Sequence, residues 1–281
     1  MRSPFLRVIV LCLLLGSCAR RSALDSAEVL HRTVQRSQQL QSARLRVEAT
    51  VTTPSATITV AGEGTIVNGG RQTAFTGTVN GPGIAVEGDV VSEFQRDLYV
   101  RISNFTASGQ NAPQELINVW WRLRGTGSTL PPPSVAPDPW FLRSQAAAVD
   151  VTKDRGIEQL DGEDVYAYDV AVREMELFNL LEQAARDRGE TVDREDLERQ
   201  WERYDLRGTL WIDADDFLIR KLEWELRSRP DDGAAMEVVL KADVLDHDRA
   251  AAPAVPVDAR PLPAGSLLEL LQSPSFLPVL P

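Results

Sequence analysis

The stretch Leu45-Arg-Val-Glu-Ala-Thr-Val-Thr-Thr-Pro-Ser-Ala-Thr-Ile-Thr-Val-Ala-Gly-Glu-Gly-Thr-Ile-Val67 decides the fold. Its apolar residues recur at every second position: Leu45, Val47, Ala49 and Val51, then Ile58, Val60 and, past two glycines, Ile66. Between them stand Arg46, Glu48, Thr50 and Thr52. A period of two puts the apolar set on one face of a strand and the polar set on the other, so the pattern is that of half-buried β-strands.

The rhythm extends outward on both sides. Asn68-Gly69-Gly70 is a hairpin signal. QTAFTGTVN and GIAVEGDVV follow, divided by Gly81-Pro82-Gly83, and then DLYVRI with Leu98, Val100 and Ile102 on one side. VWWRLR at 119–124 is strand-like, and RGIEQLDGEDVYAYDVAV folds back at Asp161-Gly162. DLRGTLWID, FLIRKLEWELRS and AAMEVVLKADVLD complete the set, with Leu218, Leu222, Trp224 and Leu226 placed on one face. Consecutive strands joined by tight turns make an antiparallel meander with one apolar and one wet face.

Two regions break the rhythm. Before the strands, Asp25 and Glu28 have the spacing of a capping box, and Ala27, Leu30 and Val34 share one side of a helix expected over 25–42. Within the meander, residues 174–204 read as a helical hairpin: Leu177, Leu180, Leu181 and Ala184 cluster, Gly189 closes the first helix, and Asp193 caps a second with Leu197, Trp201 and Tyr204. LPPPSVAPDPW, 130–140, reads as a proline-rich loop against the same body. The expected fold is therefore α+β: a curved antiparallel half-barrel of nine to eleven strands, covered by the N-terminal helix and the inserted helical pair. The domain spans 25–248, and 249–281 is a Pro- and Ala-rich tail, poorly ordered or laid over the domain.

The start of the chain has a different logic. Arg2 and Arg7 are followed by an apolar run, Val8 to Leu15, then by Gly16, Ser17 and Cys18. That run has the length of a signal-peptide core and falls well short of a transmembrane span. Leu15-Gly16-Ser17-Cys18 looks like a bacterial lipobox. The motif implies that residues 1–17 are removed and that Cys18 receives a diacylglyceryl group, leaving 18–24 as a tether to the outer face of a cell membrane. The only other cysteine, Cys12, lies in the discarded segment, so the exported domain relies on its core and not on a disulfide.

Charge and side-chain inventory narrow the function. The net charge of −11 becomes more negative once Arg2 and Arg7 are gone, which disfavours nucleic acid as a partner. There is no thiol nucleophile in the mature chain and no Gly-x-Ser-x-Gly elbow beside His31 or His247, both read as solvent-facing. Asp213, Asp215 and Asp216 lack the glycine and glutamate of a calcium loop and read as a polar turn. Asp243, Asp246, His247 and Asp248 likewise read as a solvated turn and not a metal site. No catalytic residue, metal or cofactor is implied.

Taken together, the lipobox, the single N-terminal helix, the meander, the Gly162…Tyr166-x-Tyr168 strand and the Leu210-to-Asp213 hairpin running on to Arg220 resemble the LolA/LolB-like superfamily. Within it they are most similar to the LppX/LprG-type lipoproteins, over residues 25–246. The resemblance implies a half-barrel whose cavity holds acyl chains, a lipid-binding or lipid-transfer role, and no catalysis. Only the lipidated Cys18 transfers by position. The lining expected for such a cavity is the apolar face itself: Val47, Val51, Ile58, Val60, Ile84, Val86, Leu98 and Val100 from the early strands, Leu218, Leu222, Trp224, Val238 and Leu240 from the late ones. An alternative keeps the same scaffold with a filled core, as an envelope lipoprotein that binds another protein or senses the envelope.

Overall fold

The computed structural model describes residues 24–93, 97–108, 110–111, 114–124, 146–187, 191, 193–229 and 235–261. The lipobox, Cys18 and most of the tether, the proline-rich loop and the tail beyond Pro261 lie outside the described residues.

Chain order is helix α1 (Ser26–Gln39), strands β1 (Ala43–Thr52), β2 (Thr57–Val67), β3 (Gln72–Gly81), β4 (Ile84–Glu93), β5 (Asp97–Ala107), β6 (Gln110–Asn111), β7 (Trp120–Arg124), β8 (Val149–Leu160) and β9 (Glu163–Val172), helices α2 (Glu174–Asp187) and α3 (Arg194–Trp201), then β10 (Tyr204–Asp213), β11 (Ile219–Ser228), β12 (Glu237–Leu245) and β13 (Arg260–Pro261). Among the described residues, thirteen strands join one open sheet in the order β13-β7-β5-β4-β3-β2-β1-β12-β11-β10-β9-β8, with β6 paired to β5. Among the described residues every strand pairing is antiparallel except β13 with β7, and an isolated parallel bridge joins Ile102 to Ile117. The sheet is a curved half-barrel with helices, as expected from the alternation. It gains two-residue strands too short to show a period, one of them inside the tail.

The two halves of the meander meet where β1 pairs with β12, Leu45 opposite Val244 and Val51 opposite Val238. The polar face is internally matched. Thr76, Asp89 and Arg101 stand side by side across β3, β4 and β5. Thr76 Oγ1 donates to Asp89 Oδ1 at 2.7 Å, and Arg101 Nε donates to Asp89 Oδ2 at 2.7 Å.

Curvature has a local cause. Gly62, Gly77 and Gly88 sit opposite one another on β2, β3 and β4. The Phe75 ring lies in the space they leave: a Cβ built on Gly62 would stand 2.5 Å from ring Cε1, and one on Gly64 2.7 Å from Cδ2. Gly208 does the same for Trp224, with Cε3 at 2.5 Å. Glycines in a strand mark close approach and bending. Here they let large rings lie flat on the backbone of the inner face.

Both edges of the open sheet are blunted. β8 carries register shifts between Val151 and Lys153 and between Asp154 and Gly156, and β13 ends on Pro261. Bulges, charges and proline discourage pairing with another chain.

Helix α1 forms as its spacing demands. Asp25 caps it, the side chain accepting from Ala27 N–H at 3.4 Å, and Val29, Leu30, Thr33 and Ser37 face inward. Thr33 satisfies its buried hydroxyl on the Val29 carbonyl at 2.9 Å. Val29 and Leu30 enter the main core with Leu45, Ile66, Tyr166, Tyr168, Leu210, Ile212 and Leu222. The inserted pair builds a smaller cluster of its own. Phe178 meets Trp201 edge-on at 6.0 Å, Trp201 Nε1 donates to Glu174 at 3.0 Å, and Arg194 links Glu182 and Glu198. Among the described residues, the main core takes no side chain from α2 or α3.

Candidate functional site

Strand register places the inner-face residues in rows running across the barrel. One row holds Val47, Gly62, Gly77 and Gly88, with Ala242, Leu222, Leu210 and Tyr168 on the other side of β1. The next holds Ala49, Val60, Val79, Val86 and Phe105, with Leu240, Trp224, Gly208 and Val170. A last row, at the ends of the strands, holds Val51, Ile58, Ile84 and Ala107, with Val238 and Leu226.

Burial changes along the strands. At the end where β1 begins and β12 ends, Ala43, Leu45, Ile66, Ile212, Ile219 and Val244 are at most 2 % exposed. At the opposite end, Val47, Ala49 and Val51 on β1, Val60 and Ile58 on β2, Leu240 and Val238 on β12, and Leu226 and Leu206 are only partly buried. Toward that end Trp224, Val170 and Ala107 are buried, as are Ala146, Ala148 and Val149 on the β8–β9 side, so the accessible part of the face lies on β1–β4, β10 and β12 and at Leu226. The same apolar face is thus filled at one end and accessible at the other. The shape is that of a cup, closed by α1 and the core and open at its mouth.

The predicted lining divides accordingly. Leu98, Leu218, Leu222 and Trp224 are buried. Val47, Val51, Ile58, Val60, Ile84, Val86, Val100, Val238 and Leu240 are half-buried. Leu218 stands just before β11 and not within it, because a register shift between Trp211 and Ile212 brings Ile219, not Arg220, opposite Ile212. Phe75, Val79, Phe105 and Leu206 belong to the same face and are absent from the expected lining, as is Leu226, which the sequence pattern places on that face. Their signal was present in the cross-strand partners of the residues that were chosen.

Helix α1 lies diagonally over the cup. Its first turn borders a groove of about 550 Å³ shared with Ala146, Val149, Asp150 and Arg173, on the mouth side of β8 and β9. Its last turn reaches the closed end, where Arg36 Nε donates to the Asp216 carbonyl at 3.2 Å. Arg32 sits 5.0 Å over the Phe217 ring, which stacks on Tyr166.

Outside the closed end is a polar pocket of about 760 Å³ lined by Asp213, Asp215, Asp216, Glu163, Asp164, Asp246, Arg44, Arg220 and His247. Asp213 Oδ1 accepts from Asp215 N–H at 2.8 Å and from Asp216 N–H at 3.0 Å, and Arg220 pairs with Asp213 and Glu163. The three aspartates therefore build the polar turn read from the sequence. Among the described residues, no group of three His, Cys, Asp or Glu side chains is placed to hold a metal.

His31 is exposed beside Gln35. His247 is not solvent-facing as expected: its side chain is 7 % exposed. Nε2 lies 3.1 Å from the Ile219 carbonyl, which only accepts, so that nitrogen carries the hydrogen. Nδ1 faces Asp216 Oδ2 at 3.8 Å without a hydrogen bond. Burial raises the Asp216 carboxyl, but His247, the Leu218 N–H and Arg36 together hold it below the usual value. Tyr168, under α1, is fully buried, and among the described residues its hydroxyl has no hydrogen-bond partner. Burial first, then the charges of Asp154 and Asp25, raise its pKa well above that of a free phenol.

Neither a scan against protein families nor a search of curated proteins finds a match. Among solved structures, the chain is similar to the lipoprotein LppX of Mycobacterium tuberculosis, with 11% identity over 80% of this chain and 96% of that one and a TM-score of 0.42. It is similar to LprF of Mycobacterium bovis, with 12% identity over 84% and 97% and a TM-score of 0.45. A LolA superfamily protein, NE2245 of Nitrosomonas europaea, shares 14% identity over 91% and 100%, with a TM-score of 0.27. These come from the group that the sequence motifs resemble.

Proposed function

We propose that this chain is a lipid-anchored lipoprotein of the bacterial cell envelope that binds acyl chains in the mouth of the cup and carries or presents them. The observation that carries the reading is the burial gradient. Val51, Ile58, Ile84 and Val238 are apolar, inward-facing and still partly open to solvent. A soluble domain leaves such a face uncovered at a cost that an apolar ligand relieves.

The mechanism is shielding. Each methylene moved from water onto this surface contributes about 0.8 kcal/mol, so a chain is held by length and not by a specific polar contact. The rows of valine, isoleucine and glycine offer no fixed donor or acceptor, which suits a mobile chain. The lipobox-like motif supplies the anchor: the two acyl chains of a diacylglyceryl group at Cys18 hold a protein stably at a membrane.

Native mass spectrometry of the soluble domain from Ala19 onward, prepared without detergent from a bacterial host, tests the reading. Added mass that resolves into acyl lipids on denaturation supports it. A bare mass that stays bare after incubation with envelope lipid extract overturns it and leaves the protein-binding scaffold ahead.

A further inference from the structure

The last turn of α1 is seated between two turns of the sheet. On one side Arg36 Nε donates to the Asp216 carbonyl at 3.2 Å and Arg32 lies over the Phe217 ring, both in the β10–β11 turn. On the other side the backbone leaving α1 is held by the turn after β12. There Asp248 Oδ1 accepts from Gln41 N–H at 2.8 Å, and Asp248 N–H donates to the Ser42 carbonyl at 2.7 Å. Where these two turns meet, the buried imidazole of His247 faces the carboxylate of Asp216.

In its neutral form that contact is unsatisfied. The Nε2–H of His247 is spent on the Ile219 carbonyl at 3.1 Å, so Nδ1 presents a lone pair to Asp216 Oδ2 at 3.8 Å. Two acceptors gain nothing from each other. A proton taken up at Nδ1 turns the pair into a charge-assisted N–H···O bond, whose usual length of roughly 2.8 Å is about 1 Å shorter. Despite its burial, Asp216 is held below the usual carboxyl value, so it stays ionised through the range where an imidazole gains its proton.

The other charged groups around the ring have their own partners or places. Arg44 of β1 pairs with Asp246 at 2.9 Å, and Arg220 of β11 pairs with Asp213 at 3.1 Å and with Glu163. Asp215, Asp164 and Arg249 complete the charged lining of the pocket. Carboxylates and guanidiniums ordinarily keep their charge from about pH 5 to pH 8, and imidazole does not. His31, the chain's other histidine, is exposed on α1 beside Gln35.

We infer that His247 and Asp216 form a proton-operated clasp that fastens the end of α1 to the closed end of the cup in mild acid and slackens near neutrality. The pair draws the β10–β11 turn toward the turn after β12, and the last turn of α1 is gripped between them. The clasp forms as pH falls through the histidine range. It is lost again below the folded value of Asp216, where the carboxylate itself takes up a proton. It acts on the helix that covers the cup, whatever the cup holds.

Hydrogen exchange of the full chain at about pH 7.5 and pH 5.5, either side of the ordinary imidazole value, tests the clasp. Rates are read as protection factors, which removes the intrinsic effect of pH. The amides of residues 33–39 are expected to gain about tenfold in protection at the lower pH, the scale of one hydrogen bond to a charged group, while those of β3 and β4 keep theirs. Asp216→Asn, which keeps an acceptor for the Leu218 N–H, and His247→Gln are each expected to abolish the gain, and His31→Gln to retain it. No gain in the wild type, an equal gain across the whole sheet, loss of the gain in His31→Gln, or its survival in Asp216→Asn overturns the inference. Asp216→Asn decides alone if His247→Gln does not fold. Imidazole nitrogen-15 spectra read the proton directly, and a His247 ring that stays neutral at the lower pH overturns the clasp as well.

Discussion

Leu222→Ala and Val60→Ala compare the two ends of one continuous apolar face. Leu222 is 0 % exposed in the main core, packed between β10 and β12. Truncating it removes three carbons, worth about 2.4 kcal/mol in transfer alone, and leaves a cavity that its rigid neighbours cannot fill. A total of about 3–4 kcal/mol is expected, near the middle of the range for buried leucine. Val60 lies one strand from β1, opposite Ala49 and Val79, and is already partly in water. Its loss of two carbons costs about 1 kcal/mol or less, with no closed cavity. Urea denaturation followed by far-ultraviolet circular dichroism reads both, and thermal melts separate them by roughly 5–10 °C for a domain of this size. The pair is measured on delipidated protein, so that bound lipid does not stabilise one variant selectively. Equal losses for the two variants would refute the cup, because Val60 would then belong to a filled core.

Tyr168→Phe is expected to leave stability unchanged or raise it by up to about 1 kcal/mol, since it removes a buried hydroxyl that has no partner among the described residues. The raised phenol of Tyr168 stays neutral in the fold while the unfolded chain ionises, so the wild type loses stability as pH rises through 10. Alkaline thermal melts of the phenylalanine variant show a shallower fall. Asp216 has the opposite sign: its lowered folded pKa contributes stability above the ordinary carboxyl value, lost as pH falls through the folded value. Asp216→Asn flattens that acid limb between pH 5 and pH 3 in the same melts. Gly62→Ala forces Phe75 off the backbone of β2 and costs about 1–3 kcal/mol, read by urea denaturation.

Alternation along Leu45–Val67 and its neighbours made the strands and their inner face legible, because a period of two states directly which side a residue faces. Depth along that face was not legible. Val47 and Leu45 carry the same pattern, yet one is half-buried and the other fully so, and only the path of α1 across the far strands decides which. His247 shows the same limit. Its neighbours Asp246 and Asp248 read as a solvated turn, but β12 ends against Ile219, and the imidazole is enclosed by a strand distant in sequence. The bulge at Arg220, between Ile219 and Lys221, was equally hidden, since one extra residue shifts a face without altering composition. The short strands at Gln110–Asn111 and Arg260–Pro261 exist only as partners of longer ones. Cys18, singled out by a local motif, lies outside the described residues.

The join between β1 and β12 sets the order in which this chain can finish folding. Leu45 and Val244 lie nearly the whole domain apart in sequence, so the loop closed by their pairing is among the longest the fold contains. A chain that emerges from its N-terminus releases β1 through β5 early, able to zip locally by hairpins. The free side of β1 then waits, unpaired, until β12 has emerged. Folding of this domain is thus gated by the arrival of its last long strand, and a chain cut short before Glu237 would leave β1 as a sticky seam and not a smaller cup.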